Sequence, residues 1–343
     1  MECRVFCLGC GRERHGLEAR CSHCGSPFDI EVSGKYSDRL QDNFPYVSRW
    51  ISLGEVQTPI VSAGGADFKL DYLSPTFSYK DRGARALVSF LRGRMDHGTI
   101  NEDSSGNAGA AIAAYGSAAG FRVRIFTGSR AREEKIRQIE SYGAEVVRVE
   151  GSREDVQRAA MGADGVYASH VLMPEFRDGI RTLAYEVFQQ YSGSMPDRIF
   201  VPVSAGTLLL GLHRGLRHLL ESGEIGSMPE IVGVQPEKVS PICHILEGRP
   251  YEPPVDGQSV ADALVTQKPV LGVQVAEAVR QTGGTCVMVS DEEIMSAHAE
   301  LSRAGLFCEV SSATVYAAYK KRKWQGRSLL VLTGAGLKTV MGY

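Results

Sequence analysis

The sequence predicts an α/β protein built on parallel β-sheets, with a small cysteine-rich module at its N-terminus. Three observations support this prediction. The chain has 343 residues, short apolar runs alternate with helical patterns from about Val47 onward, and five of the eight cysteines fall in the first 24 residues. A chain of this length exceeds what one compact core usually holds, so two domains and an appendage are expected.

Strand and helix patterns alternate along the chain after the cysteine-rich module. Strands are predicted over 121–128, 145–151, 197–203, 230–236 and 328–334, and helices over 132–143 and 207–223. Strands separated by helices at this spacing favour parallel sheets with helices on both faces. Residues 240–270 are rich in Pro and Gly, and they predict a surface loop with a short helix.

The charge balance argues against a nucleic-acid partner or an anionic membrane surface. The 40 acidic and 38 basic residues leave a net charge of -2, whereas such partners favour a strongly basic face. No apolar run approaches the ~18 residues that span a bilayer, and the N-terminus shows no secretory signal pattern. We therefore expect a cytoplasmic protein with no membrane partner. The uneven placement of the cysteines is not typical of a secreted disulfide scaffold.

Two CxxC pairs in the module predict a structural zinc site. The ligands would be Cys7, Cys10, Cys21 and Cys24, and each pair is followed by a glycine. Four thiolates at this spacing suit a tetrahedral zinc and leave no position open for a catalytic water. Cys3 lies outside the pattern and is expected to be a free thiol. The alternatives are His15 or His23 as a replacement ligand, or a metal-free set of reduced cysteines.

Four later segments carry candidate functional residues. In order they are LSPTFSYKDRGA (73–84), EDSSGNAGAAIAAYGSAAG (102–120), VPVSAGTLLLG (201–211) and VLTGAGLK (331–338). Lys80 lies where the first segment changes from loop to helix, a fixed position that suits a nucleophilic lysine. The second and third segments place small and hydroxylated residues at a helix start, which suits a carboxylate and a phosphate respectively. The third lacks the P-loop lysine and the GxGxxG pattern, which disfavours an NTPase and an NAD-binding protein.

Together and in this order, the four segments resemble those of the threonine synthase family, within the fold type II pyridoxal-phosphate (PLP) enzymes. PTFSYKDRG resembles the lysine segment of that family, SSGNAGAA its asparagine loop, PVSAGTLLLG its phosphate-binding segment and LTGAGLK its closing segment. SDEEI (290–294) and CEVSSAT (308–314) are similar to its later segments. The cysteine module and ISLGE (51–55) resemble the archaeal-type branch. The resemblance covers nearly the whole chain.

The resemblance implies a tryptophan synthase β-like fold, with two open twisted α/β domains, the active site between them and the zinc ribbon as an appendage. The expected domains are 1–33, the zinc ribbon; 34–183, with the lysine and the asparagine loop; and 184–343, with the phosphate cup. A homodimer is expected, because the family is mostly dimeric.

The resemblance also implies a role for each matching position. Lys80 would hold PLP as a Schiff base and move protons at the substrate Cα and Cβ, and Asn107 would bond the 3′-oxygen of the cofactor. Thr333 would bond the pyridine nitrogen and leave it mostly unprotonated. The cofactor phosphate would be held by Ser204, Ala205, Gly206, Thr207 and Leu208. The substrate carboxylate would be held by Ser104, Ser105 and Ala108.

One segment, MPEFRDGIRT (173–182), departs from the family pattern. Met173, Asp178 and Arg181 replace an asparagine, a glutamate and a lysine of the family. Phe176 stands where bacterial members carry an arginine for the substrate phosphate. Arg177 or Arg181 is therefore expected to bind that phosphate, because a guanidinium suits its geometry.

The leading functional hypothesis is a PLP-dependent lyase that converts O-phosphohomoserine and water to threonine and phosphate by γ-elimination and β-hydration. The first alternative is β-replacement on O-phosphoserine or a similar amino acid, of the cysteate or cysteine synthase type, or a serine/threonine dehydratase. The second, from a different class, is a binding or regulatory protein that has lost catalysis. The presence of Lys80, Asn107 and Thr333 argues against the second.

Overall fold

The structure, a computed structural model, describes residues 1–129, 131, 133–255 and 257–340. These residues divide into two compact units. The first comprises Met1–Glu55 and Lys80–Ile180, and the second combines Val56–Tyr79 with residues 181–340. Within this described part of the chain, none of the helices has both the length and the apolar character needed to cross a membrane.

Strands and helices alternate through most of both units. The strands are β1 (Glu2–Cys7), β2 (Phe28–Ser33), β3 (Ile60–Ala63), β4 (Ala66–Leu70), β5 (Thr99–Glu102), β6 (Arg122–Gly128), β7 (Glu145–Val149), β8 (Val166–Tyr167), β9 (Arg198–Pro202), β10 (Glu230–Pro236), β11 (Thr285–Val289) and β12 (Ser328–Leu332). The helices are α1 (Lys80–Arg92), α2 (Asn107–Ala118), α3 (Glu133–Ser141), α4 (Arg153–Gly162), α5 (Pro174–Gly179), α6 (Thr182–Gln190), α7 (Thr207–Ser222), α8 (Pro241–Glu247), α9 (Gly272–Gln281), α10 (Asp291–Arg303), α11 (Val310–Lys320) and α12 (Leu337–Val340). Short 3-10 turns lie at Leu40–Asn43 and Asp262–Leu264.

The first unit contains two sheets. β1 and β2 pair antiparallel along their whole length, and this hairpin carries the cysteine-rich module. The other sheet is parallel throughout and has the strand order β7-β6-β5-β8. Ile100 and Ile125 are fully buried in it. The small residues of α2 let this helix pack closely against both α1 and β6.

The second unit is built on one six-stranded sheet with the order β11-β10-β9-β12-β4-β3. All neighbouring strands run parallel except β3, which is antiparallel to β4 at the sheet edge. Every residue of the central strand β9 is buried, as expected for a strand covered on both faces. Cys243 of α8 and Cys286 of β11 form a disulfide in this unit, a pairing that the sequence analysis does not include.

The elements predicted from hydrophobic patterns are confirmed. The predicted strands correspond to β6, β7, β9, β10 and β12, and the predicted helices to α3 and α7. Residues 240–270 contain the short helix α8 and a 3-10 turn among loop segments, in agreement with the prediction for that region.

The domains expected at 1–33, 34–183 and 184–343 stay a prediction, and the compact units group the chain in their own way. Val56–Tyr79 belongs with the C-terminal part of the chain, because β4 pairs in parallel with β12 along Asp67–Leu70. Residues 1–33 are part of the first unit and do not form a separate one. The pairing of β4 with β12 accounts for the first grouping, and the contacts of β2 with α5 account for the second.

Candidate active site

The predicted site residues divide between the two units. Those in the first unit are Lys80, Ser104, Ser105, Asn107, Ala108 and Arg177. Those in the second are Arg181, Ser204, Ala205, Gly206, Thr207, Leu208 and Thr333.

Lys80 is the first residue of α1 and lies beside the aromatic ring of Phe176 on α5. Its Nζ is 5.7 Å from the centroid of that ring, a distance at which an ammonium is attracted to an aromatic face. The two helices approach closely because residue 83 is glycine, since a Cβ there would meet the Phe176 ring at 2.4 Å. The glycine of the KDRG sequence therefore allows the Phe176 ring to lie beside Lys80.

The loop before α2 brings together the residues predicted to bind a carboxylate. Ser104 Oγ accepts a hydrogen bond from the amide of Gly106 at 3.3 Å. The loop also folds onto the helix, since a Cβ on Gly109 would lie 1.9 Å from the Ser104 carbonyl oxygen. Asn107 begins the helix. Backbone amides at a helix start carry partial positive charge, so this arrangement suits an anion.

The buried Glu102 and the partly buried His170 form a pair that was not identified from the sequence. Glu102 Oε1 lies 2.6 Å from His170 Nδ1, and Oε2 accepts a hydrogen bond from the His170 backbone amide at 3.0 Å. The His170 ring packs edge-on against Phe176, with 6.0 Å between the centroids. The imidazole and Lys80 Nζ therefore contact the same aromatic ring.

Burial dominates the ionisation of both members of this pair. It raises the pKa of Glu102 to about 7, although the amide of His170 and the charges of Arg153 and Lys80 act in the opposite direction. It lowers the pKa of His170 well below the usual range, and the Lys80 ammonium acts in the same direction. The pair thus places a group that titrates near neutral pH beside the predicted nucleophilic lysine.

The neighbouring Asp103 holds the start of the glycine-rich loop. Its buried carboxylate forms an ion pair with Arg153 at 2.6 Å and accepts a hydrogen bond from the Tyr167 hydroxyl at 2.8 Å. The one sequence signal for this cluster is an acidic pair, Glu102-Asp103, directly before a glycine-rich turn. Charged residues at that position are costly to bury without a role.

Arg177 contacts the cysteine-rich module. Its side chain is fully buried, and its guanidinium donates hydrogen bonds to the backbone oxygens of Val171 and Phe28. It also pairs with Asp29 at 3.3 Å. These contacts favour a role in holding β2 in place. The expected binding of a substrate phosphate by Arg177 stays a prediction.

Arg181 is likewise buried, at the start of α6 in the second unit. Its Nη1 donates a hydrogen bond to the Tyr185 hydroxyl at 2.9 Å, and that hydroxyl lies 2.6 Å from Nδ1 of His218. These contacts favour a role in the packing of α6 on α7. Binding of a substrate phosphate by Arg181 also stays a prediction.

Helix α5 joins the module to the surroundings of Lys80. Glu175 forms an ion pair with Arg14 of the module, and both side chains are almost completely buried. The next residue, Phe176, faces Lys80, and the residue after it, Arg177, bonds the module again. Three consecutive residues of one short helix therefore connect the module with the lysine.

The predicted phosphate cup lies between β9 and α7. Gly206 is the N-cap of α7 with a φ of 90°, a left-handed conformation that favours glycine. A Cβ at this position would meet Val275 Cγ2 at 2.1 Å. The 16-residue helix directs its amide groups and its partial positive charge toward the cup. The backbone here is therefore shaped as an anion cradle.

Two hydroxyl groups of the cup have defined partners. Ser204 Oγ lies 2.8 Å from Thr266 Oγ1, and Thr207 Oγ1 lies 3.3 Å from the Tyr79 hydroxyl. These contacts orient both side chains without taking the backbone amides of the helix start. Neither Thr266 nor Tyr79 was identified from the sequence.

Thr333 directly follows β12 and is bonded to Ser312 in the first turn of α11. Ser312 Oγ lies 2.8 Å from Thr333 Oγ1. It also accepts hydrogen bonds from the backbone amides of Thr333 and Gly334, each at 3.0 Å. Ser312 is fully buried and Thr333 is 6% exposed. The hydroxyl predicted to meet the cofactor is thus held in a fixed position.

The residues just before Lys80 are hydrogen-bonded to the segment that follows β12. The Tyr79 amide donates to the Thr333 carbonyl oxygen at 2.9 Å, and the Ala335 amide donates to that of Phe77 at 3.1 Å. Phe77 has a φ of 64°, which is rare for a bulky residue and requires support from its surroundings. These hydrogen bonds supply that support.

The four predicted metal ligands come together in the cysteine-rich module. The sulfurs of Cys7 and Cys24 are 3.3 Å apart and those of Cys10 and Cys21 are 3.7 Å apart, and all four lie within 4.8 Å of one another. Zinc–thiolate bonds of about 2.3 Å in a tetrahedron place sulfurs roughly 3.8 Å apart. The cluster therefore has the dimensions of a zinc site.

The family described as "Pyridoxal-phosphate dependent enzyme" matches residues 51–334, a range that contains the lysine, the asparagine loop, the cup and Thr333. The chain belongs to this family. The PLP enzyme is 28% identical to a threonine synthase of Methanosarcina acetivorans, over 92% of the chain and 85% of that protein. It is 30% identical to a threonine synthase of Synechocystis sp., over 84% of the chain and 78% of that protein.

Solved structures of PLP enzymes share the fold. The processed form of a threonine deaminase from Solanum lycopersicum superimposes with a TM-score of 0.69 at 21% identity, over 89% of this chain and 86% of its own. A PLP-dependent aspartate racemase superimposes with a TM-score of 0.72 at 22% identity, over 89% of this chain and 96% of its own. Both likenesses support the fold type II architecture expected from the sequence.

The residues present fit PLP. The cradle at Gly206 admits no Cβ, which is what close approach of a phosphate to the backbone requires. Lys80 would supply the amine for a covalent link, and Thr333 would supply a neutral hydroxyl. The donor set therefore agrees with the family assignment.

Proposed function

We propose that the enzyme is a threonine synthase that converts O-phosphohomoserine and water to threonine and phosphate. The observation that carries the proposal is the match, over most of both chains, to threonine synthases of several organisms. The likeness to the threonine deaminase and the racemase supports only the fold, because those identities are below 25%.

The first unit would bind and process the amino-acid end of the substrate. The amides and hydroxyls of Ser104 and Ser105, with the amide of Ala108, would hold the carboxylate at the start of α2. Lys80 Nζ would hold the cofactor covalently at rest and, once released, carry protons at the substrate Cα and Cβ. Asn107 would bond the 3′-oxygen of the cofactor. When bound, PLP supplies the electron sink that stabilises negative charge at these carbons.

The second unit would hold the cofactor at its other end. The backbone amides from Ser204 to Leu208 would bind its phosphate, and Thr333 would bond its ring nitrogen. A neutral hydroxyl at that nitrogen gives a weaker electron sink than an acid would. Water then adds at Cβ after the γ-phosphate leaves, which completes the conversion to threonine.

Separate incubations with O-phosphohomoserine, O-phosphoserine and threonine test the proposal. Release of phosphate and threonine from O-phosphohomoserine supports it. Lys80→Ala serves as the control, and we expect it to abolish both turnover and the visible absorbance of the bound cofactor. Phosphate release from O-phosphoserine alone indicates β-replacement, and keto-acid release from threonine alone indicates a dehydratase. Either result overturns the proposal.

We also propose that Cys7, Cys10, Cys21 and Cys24 hold a structural zinc ion. The sulfur–sulfur distances support this, and four thiolates leave no open coordination position. Metal analysis of the purified protein with and without Cys10→Ser tests it. A homodimer and a cytoplasmic location complete the proposal, and sedimentation and cell fractionation test them.

A further inference from the structure

Three hydrogen-bonding contacts meet at the oxygen of Ser312. Two are with the backbone amides of Thr333 and Gly334, at 3.0 Å each, and the third is with Thr333 Oγ1 at 2.8 Å. A backbone amide can only donate. Both amides therefore donate to Ser312 Oγ.

The number of lone pairs then decides the direction of the third contact. A serine hydroxyl has two lone pairs and one hydrogen. Because both lone pairs of Ser312 Oγ are occupied by amides, its hydrogen must point to Thr333 Oγ1. Ser312 is the donor of this bond and Thr333 the acceptor. The hydrogen of the Thr333 hydroxyl is then directed away from Ser312, and no other partner for this hydroxyl lies among the described residues.

A hydroxyl with its hydrogen directed outward is a donor to whatever it meets. An unprotonated pyridine nitrogen accepts a hydrogen bond. A protonated one carries a hydrogen of its own, which would point toward the hydrogen of the Thr333 hydroxyl. We propose that Ser312 is a positioning residue that holds Thr333 as a hydrogen-bond donor and thereby keeps the ring nitrogen of the cofactor unprotonated. This inference rests on the proposed contact between Thr333 and that nitrogen.

The carbonyl groups of Thr333 and Gly334 are held by hydrogen bonds that do not involve Ser312. The Tyr79 amide donates to the Thr333 carbonyl at 2.9 Å, and the Glu309 amide donates to that of Gly334 at 2.8 Å. Removal of the Ser312 hydroxyl leaves these two hydrogen bonds intact, but it deprives the Thr333 and Gly334 amides of their acceptor and releases the direction of the Thr333 hydroxyl. The measurement must therefore separate a positioning role from a purely structural one.

The chain offers a matched control in the adjacent Ser311. Its hydroxyl is also buried and accepts a backbone hydrogen bond, from the Ala263 amide at 3.2 Å. Ser311→Ala removes one comparable bond from the same helix turn, but no contact with Thr333 is lost.

The experiment is nitrogen-15 NMR of enzyme reconstituted with ring-labelled PLP, recorded across the pH range in which the protein is folded. We expect the resonance of the unaltered enzyme and of Ser311→Ala to stay at the unprotonated position. In Ser312→Ala it should shift toward the protonated position as the pH falls, and Ser312→Thr should restore the original behaviour. If Ser312→Ala does not fold, Ser312→Cys replaces it, since it is similar in size and a weaker hydrogen-bonding group.

Two outcomes overturn the inference. One is a resonance in the Ser312 variant identical to that of the unaltered enzyme at every pH. The other is an equal change in the Ser311 and Ser312 variants, which indicates general loosening of α11. Thr333→Val distinguishes a different failure: if it leaves the resonance unchanged, Thr333 does not contact the nitrogen and the proposed site itself is incorrect.

Discussion

Glu102 and His170 are joined by a 2.6 Å contact between a carboxylate oxygen and Nδ1, although 68 residues separate them in the chain. The parallel pairing of β5 with β8, in which Asn101 lies opposite Tyr167, brings the ends of both strands together. Glu102, the last residue of β5, and His170, three residues after the end of β8, therefore become neighbours. The His170 ring and Lys80 Nζ lie beside the same Phe176 ring, and the charge of Lys80 acts on Glu102, which gives the first unit a titratable pair next to its lysine.

We predict that Glu102 makes the enzyme less stable as the pH rises toward neutrality. Burial raises its pKa from 4.5 to about 7, so between these values the folded protein keeps a proton that the unfolded chain has lost. The free energy of unfolding must then fall with rising pH, by roughly 3 kcal/mol in total. The free energy of unfolding has its full value below pH 4.5 and has lost this contribution above pH 7.

Glu102→Gln isolates this effect from other titrating groups. The nearby groups are His170, Lys80, Arg153, Asp103 and Tyr167. Glutamine can accept from the His170 amide and donate to Nδ1, so the contacts persist. We expect equal thermal stability of the two proteins at pH 4.5, and a variant that is more stable at pH 8 by roughly 3 kcal/mol. A stability difference that does not vary with pH contradicts the prediction.

Arg177 should behave as a structural residue. Its buried guanidinium bonds the Phe28 carbonyl and pairs with Asp29. Loss of one partner in a buried ionic contact costs about 3–5 kcal/mol. Arg177→Met should therefore lower the midpoint of thermal unfolding markedly and increase proteolysis of the cysteine-rich module, with little change in KM for the phosphorylated substrate.

Arg4→Met is the matched control for that variant. Arg4 pairs with Glu13 in the same module at 3.8 Å, but both side chains are more than half exposed, and such pairs contribute about 0–1 kcal/mol. Unchanged stability of Arg177→Met, with a KM increased about 100-fold, indicates instead the phosphate contact expected from the sequence.

Gly206→Ala should weaken cofactor binding. The residue has a φ of 90°, and a Cβ would meet Val275 at 2.1 Å. The start of α7 must then shift, and we expect the affinity for PLP to fall at least about ten-fold, a loss of about 1.4 kcal/mol.

Gly223→Ala, at the other end of the helix, introduces similar strain at a φ of 81° with no neighbouring atom within 4 Å. That control should lose stability and keep its affinity for PLP, and equal losses of affinity would contradict a specific role for the cup.

Hydrophobic patterns predicted the strands β6, β7, β9, β10 and β12 and the helices α3 and α7, because such patterns depend on neighbouring residues. β9 shows this directly, since its apolar run predicts the buried strand that the structure contains. The assignment of Val56–Tyr79 to the second unit could not be predicted in this way. It depends on the pairing of β4 with β12, and nothing in either local sequence specifies a partner more than 250 residues away.

The candidate site shows the same distinction. Lys80, Asn107 and the residues of the cup lie in segments whose order and composition identify them. Ser312 and His170 act through contacts with distant residues, and a serine or histidine alone has no distinguishing pattern. Arg177 and Arg181 show the converse. Judged from the sequence, their charges suit a phosphate, but in the structure both side chains are buried and bonded to other protein groups.

Removal of zinc should reduce stability before it affects the cofactor. The four cysteines lie in the module, and α5 connects this module to Lys80 through Arg14–Glu175 and Phe176. We expect chelation, or Cys10→Ser, to lower the midpoint of thermal unfolding while the visible absorbance of bound PLP at moderate temperature changes little. Cys3→Ser is the control, because Cys3 lies on β1 outside the cluster. An immediate loss of turnover with unchanged thermal unfolding would show that the metal acts on the active site and not on the fold.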